Sequence, residues 1–257
     1  MKRFLFALAA TIALLAAAAT TWAVTGAPPL GSQIGGSVGV GAPKTAIKAP
    51  ACPTGVKPQN CLIVMTRSTG VPTLIDGVKG PMKVNKTGEI VSFTVGLAQL
   101  SSNPTTQASY IKNLNSLYGG VAEAQLTVLK YANNQRWTVM AQGPLEHLQP
   151  YLGYVVQFPL TTPIPVTSGE TIALTVPTWA PILSYQLTAT SYAYRQSRST
   201  ACGVAVKAPT QSAQLVVGET TYYGCFYPGT RVEYGATELI NPVAPTTSTS
   251  KTTTTKK

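Results

Sequence analysis

Short stretches of alternating apolar and polar residues recur along the middle of the chain, and this two-residue period constrains the fold more than any other feature. Between residues 88 and 97, Ile90, Ser92 and Thr94 alternate with Val91, Phe93, Val95 and Leu97. The same alternation runs through 124–129, 137–140, 154–158, 171–176 and 231–234, and 62–65 is a short apolar run. Alternation rich in Thr, Val and aromatics marks half-buried strands. Breaks such as Thr167-Ser168-Gly169-Glu170 and Pro177 separate them. The pattern predicts a mainly β protein, an antiparallel β-sandwich of jelly-roll-like architecture.

One segment departs from the period. Asn103 is suited to cap a helix and Pro104 to open its first turn. Tyr110, Ile111, Leu114, Leu117 and Tyr118 then fall at helical spacing, and Gly119-Gly120 stops the run. This predicts one short helix near 105–118. Its apolar stripe must be buried, so it reads as a plug over a sheet edge or an end of the sandwich rather than a lid.

The ends of the chain have other characters. Lys2 and Arg3 precede an uncharged Leu/Ala run, and Thr21-Trp22-Ala23 supplies small residues around a cut after Ala23. This is the secretory leader pattern, assigned to residues 1–23. The run is shorter than the roughly 20 residues that span a bilayer, and no later run reaches that length, so no membrane span is expected after cleavage. Residues 24–50 are Gly- and Pro-rich and read as a flexible arm. Residues 241–257 are Thr, Pro, Ser and Lys and read as a disordered tail. A single β domain over 51–240 remains.

Four cysteines in an exported chain read as two disulfides. The local pairs Cys52–Cys61 and Cys202–Cys225 are favoured among the three possible pairings. Neither spacing is that of a zinc knuckle. The formal net charge is +11, with Lys2, Arg3, Lys251, Lys256 and Lys257 in the leader and tail. The other basic residues are scattered, which argues against nucleic acid as a partner. Such a surface supports at most a salt-sensitive attraction to an anionic envelope polymer or lipid head group.

The stretch from Pro163 through Val176-Pro177-Thr178-Trp179-Ala180-Pro181 resembles a segment of uncharacterised secreted proteins of actinobacteria. Gly119-Gly120 leading into 124–130 and the block Tyr223-Gly224-Cys225 are similar as well. The resemblance covers most of 51–240. It implies a jelly-roll sandwich and an exported protein, and it carries no activity, because that family has none assigned.

Composition restricts the chemistry. There are 8 acidic residues and a single histidine. A Ser-His-Asp set would need His147 with Asp76, and no nucleophile elbow accompanies them. A glycoside hydrolase would need two of Glu89, Glu123, Glu146, Glu170, Glu219, Glu233 and Glu238 about 5–9 Å apart across a cleft. One Asp makes calcium an unfavoured ligand. No cofactor, metal site or catalytic residue is expected. The aromatics offer more: Trp179, Tyr185, Tyr192 and Tyr194 could stack on sugar rings or anchor a partner, and Tyr222, Tyr223, Phe226 and Tyr227 cluster around Cys225. The competing reading places all of them in the core. The expectation is an exported, non-catalytic binding module for a glycan or protein ligand at the envelope or outside it. The alternative is a structural envelope component without a small ligand, and a glycoside-type hydrolase ranks below both.

Overall fold

The computed structural model describes residues 37–40, 45–55, 61, 63–199, 202 and 210–240. The leader at 1–23, part of the 24–50 arm and the tail at 241–257 lie outside the described residues. The protein is mainly β, and every named strand ladder is antiparallel.

A four-stranded sheet runs in the order β1 (Ser37–Val40), β15 (Tyr234–Ile240), β4 (Gly88–Gly96), β8 (Val155–Val166). A larger sheet runs in the order β12 (Thr220–Tyr222), β6 (Arg136–Gln142), β5 (Glu123–Tyr131), β9 (Thr171–Ala180), β2 (Met65–Ile75), β11 (Ala193–Gln196), β13 (Cys225–Pro228). Short strands β3 (Val78–Lys79) and β7 (Glu146–His147) pair with β2 and β5, and β10 (Leu183–Ser184) pairs with β14 (Arg231–Val232). Phe93, Val95, Phe158, Leu160 and Tyr234 of the small sheet share one core with Leu126, Val128, Ile172, Leu174 and Tyr194 of the large one. The two sheets therefore face each other as a sandwich.

The large sheet is curled. β12 and β13 stand at opposite ends of its strand order, yet only Tyr223 and Gly224 separate them in sequence. Three peptide steps span at most ~11 Å. Seven flat strands would put the outer two roughly 29 Å apart. The sheet must bend into a half-barrel to let the chain cross. The crossing is pinned on both sides: Tyr223 N–H donates to Gln135 O, and the N–H groups of Gly224 and Cys225 donate to Arg198 O.

The predicted helix forms as α1 (Pro104–Tyr118). Asn103 Oδ1 accepts from Thr106 N–H at 3.0 Å. Gly119 adopts φ +78° and its N–H returns to Asn115 O, closing the last turn. No helix residue is fully buried, but Ile111, Leu114 and Tyr118 pack on the core. This is the covering role expected of a plug. No helix among the described residues is long and apolar enough to cross a membrane.

The disulfides pair as the spacing suggested. Cys52–Cys61 and Cys202–Cys225 have Cα separations of 5.5 and 5.1 Å. The second ties the loop after β11 to the buried Cys225 of β13, at the corner where the half-barrel closes.

Two pieces of the segment read as an arm, 24–50, are described. Ser37–Val40 forms β1, and residues 45–50 are docked as a strap. Asp76 accepts from Thr45 N–H (3.0 Å) and from Thr45 Oγ1–H (2.7 Å). Arg231 donates to Thr45 O, and Lys48 N–H donates to Glu233. The small glycine at 96 makes this possible, because a Cβ there would overlap Lys48 O. Composition could not reveal this, since the contacts come from residues far along the chain. Gly96→Ala is expected to cost about 1–3 kcal/mol, read in thermal unfolding, and to make the strap the first site of proteolysis. An unchanged melting temperature and cleavage pattern would contradict the docking.

Candidate functional site

The aromatic platform expected around Trp179 does not exist as a surface. Trp179 is 0% exposed, at the end of β9. Its indole N–H is shared between Asn115 Oδ1 of α1 (2.9 Å) and Gly120 O (3.1 Å). Trp179 therefore fastens α1 to the sandwich. Tyr194 is 1% exposed and stacks on Tyr227 with ring centroids 4.9 Å apart. Burial pushes its phenol pKa up, so the hydroxyl stays neutral, and it accepts from Gln196 Nε2 at 2.8 Å. Both residues are thereby removed from any stacking site. Tyr192 is half-buried and donates to Asp76 Oδ1 at 2.7 Å. Tyr185 is half-buried beyond β10. The four do not form one face.

The late aromatic cluster is divided. Tyr223 lies inside the half-barrel, edge-on to Trp137. Phe226 is about half exposed with Arg195 over its ring at 4.9 Å, and Arg136 sits 5.8 Å over Tyr222. Each arginine thus covers one face of its ring.

Several acidic groups are engaged as well. His147 Nδ1 sits 3.1 Å from Glu123 Oε1, on neighbouring strands β7 and β5. Glu170 accepts from Thr167 N–H and closes the turn before β9, and Glu219 accepts from Thr221 Oγ1. Asp76, with Gly77, makes the positive-φ turn between β2 and β3, the geometry an Asp-Gly pair suits. Burial alone would raise its pKa, but hydrogen bonds from Tyr192 and Thr45, with the charge of Arg231, outweigh that and hold it below the usual carboxylate value. Glu233 is fully buried, 3.2 Å from Arg231 Nε. Burial raises its pKa, opposed by the charge of Arg231 and the N–H of Lys48. Among the described residues no group of three or more His, Cys, Asp or Glu could hold a metal ion.

The densest polar constellation was missed in the sequence, and it fills the concave face of the half-barrel. Thr69 (β2), Thr175 (β9) and Thr127 (β5) lie side by side, with hydroxyl separations of 2.8 and 2.7 Å. The chain at 211–214 crosses above them. Gln214 N–H donates to Thr69 Oγ1. Its Nε2 donates to Trp137 O (3.2 Å) and Glu219 O (3.0 Å), and its Oε1 accepts from Tyr223 Oη. Val71, Leu129, Val139 and Ala173 complete this second core. Gln214 is 0% exposed and uses both amide protons, which is what a buried carboxamide requires. The network holds the half-barrel closed and leaves no reactive group facing solvent.

An open cleft of about 450 Å³ lies between the end of β6 and β8. It arises from a bulge: β4 advances from Ile90 to Ser92 while β8 moves from Ile164 to Pro159. Gln142, Gly143 and Pro144 face Thr161, Thr162 and Pro163 across it, and none of its lining residues is ionisable. It can hold a neutral chain but offers no acid or base.

No family model, curated protein or solved structure matches the chain.

Two measurements check this account. Gln214→Leu leaves the buried Tyr223 hydroxyl without its acceptor and removes the amide donor from Trp137 O and Glu219 O, the latter keeping the N–H of Val139. Each buried orphan costs about 1–3 kcal/mol, while exposed Val217→Ser is expected to stay within about 0.5 kcal/mol. Equal denaturation midpoints for the two variants would refute the network. Asp76→Asn is expected to lower the melting temperature at neutral pH. A depressed carboxylate stabilises above its unfolded pKa of about 3.9, and that stability fades as pH falls through the lower folded value. The difference between variant and parent should therefore close in acid, and a difference that persists there would contradict the assignment.

Proposed function

We propose that this protein is an exported, non-catalytic β-sandwich with a structural role at the cell envelope. The observation that carries this reading is how its chemical groups are used. Trp179 and Tyr194 are core, Asp76 and Glu233 hold the strap, and Gln214 with the threonines fills the half-barrel. The leader pattern and the two disulfides support export. The neutral cleft favours a second reading, a binding module for an uncharged extended polymer lying against Thr161 and Thr162.

The mature chain, 24–257, would be sedimented with isolated envelopes and passed over immobilised polysaccharides at low and high salt. The structural reading expects co-sedimentation with envelopes and no salt-resistant retention on any soluble glycan. Retention that survives high salt and is lost in Thr162→Trp, which fills the cleft, would replace it with the binding-module reading.

A further inference from the structure

The small sheet treats its two edges differently. At one edge, β8 pairs only with β4 and carries Pro159, Pro163 and Pro165. Proline has no N–H to offer a ladder, and prolines on an edge strand guard it against pairing with another chain. At the other edge, β15 has no proline in its seven residues. Its cover is β1, a four-residue strand whose named partner is β15 alone.

β15 also carries an inward charge. Glu238, opposite Val38 of β1, is 3% exposed, and its Oε1 has no hydrogen-bond partner among the described residues. A buried carboxyl is costly inside a permanently covered strand and is a recurrent feature of strands built as edges. The chain that supplies the cover is fixed just downstream. Thr45 is bonded to Asp76 and Arg231, and Lys48 to Glu233. Only residues 41–44, Gly-Ala-Pro-Lys, join that anchor to β1.

We propose that β15 accepts Ser37–Val40 from a second copy of this chain, so that copies link by exchange of the N-terminal strand. The four register pairs, Ser37 with Leu239 through Val40 with Ala236, are the same whichever copy donates the strand. Exchange therefore replaces a ladder with an identical one, and concentration decides between them. The anchor sets the geometry: from Thr45 back to Val40 the chain reaches at most ~18 Å. The accepting edge of one copy must lie that close to the strap of the next. Reciprocal exchange closes a dimer, and one-way exchange extends a filament. Prolines on β8 direct growth to the β15 edge. The inference rests on the structural reading above and gives it a mechanism.

The test uses variants of the mature chain that each carry one cysteine beyond the four native ones. Gly39→Cys and Thr237→Cys chains are co-expressed and run on non-reducing gels, and peptide mapping locates the bond. A second pair, Ser37→Cys with Leu239→Cys, guards against unfavourable geometry at the first. A chain carrying both changes of a pair reports closure within one copy. The expected result is a linked dimer joined between positions 39 and 237, or 37 and 239, that increases several-fold with protein concentration. It should be lost when residues 37–40 are deleted. Closure only within doubly substituted chains, with mixed single variants remaining monomeric at every concentration, would overturn the exchange. If envelope co-sedimentation persists in that case, the structural reading stands and only the exchange falls. If both are lost, both fall.

Discussion

Filling the concave face of the curled sheet is the constraint on which the rest of the fold depends. A sheet bent into a half-barrel presents its inner backbone and side chains to a space that is neither solvent nor apolar core. Here that space is occupied by the chain at 211–214 and by Tyr223. The filling is polar because the chain must cross it, and a crossing backbone brings N–H and C=O groups that need partners. Thr69, Thr127 and Thr175 supply hydroxyls that both donate and accept, and Gln214 closes the set. The bend in turn permits the two-residue crossing at Tyr223-Gly224, and the Cys202–Cys225 bridge sits at that corner. Without a satisfied filling the sheet would have no reason to hold its curvature.

The strap repeats this logic on the other side of the molecule. A buried ion pair is seldom favourable for its own sake, because both charges lose water. Arg231 and Glu233 also bond the main chain of residues 45 and 48. Their value therefore lies in fixing where the N-terminal segment runs, the kind of positional specificity that buried charges can supply. Asp76, part of a hairpin turn, holds the same segment from the β2 side. The turn, the strap and the junction between β14 and β15 are thus tied together by three carboxylate or guanidinium groups.

How far the fold was legible in the sequence depends on what each residue reports. Period-two alternation places side chains on faces, and it found β4, β5, β6, β9 and the helix signals that bracket α1. It does not say whether the second face is covered. Thr127 and Thr175 lie on strands whose alternation marks one covered face, and they are buried because a segment nearly 40 residues beyond Thr175 folds over them. β2 was legible only at its first residue, because Gly70 and Pro72 interrupt its pattern. The β9 ladder on β2 stops at Gly70, so the missing N–H of Pro72 is not needed there. The 24–50 segment looked like an arm because glycine and proline are abundant in it, and composition carries no information about Asp76, Arg231 or Glu233 waiting elsewhere. Trp179 failed as a platform for a related reason: a large aromatic near tyrosines signals burial as readily as binding.

These placements change what kind of function the molecule can carry. A site for chemistry needs groups left over once the fold has satisfied itself. Here the single Asp, the single His and the candidate tryptophan each have an internal partner. The exposed aromatic Phe226 and the neighbouring Tyr222 carry arginines against their rings. The described surface includes a neutral Thr/Pro-lined cleft and the rims of two sheets. A rim is a recognition surface in its own right, because its unpaired N–H and C=O groups bind any extended chain of matching register. Three prolines on β8 remove that capacity from one rim of the small sheet, while β15, which has none, is covered by the four residues of β1. Under the strand exchange proposed above, this asymmetry sets the edge at which copies link.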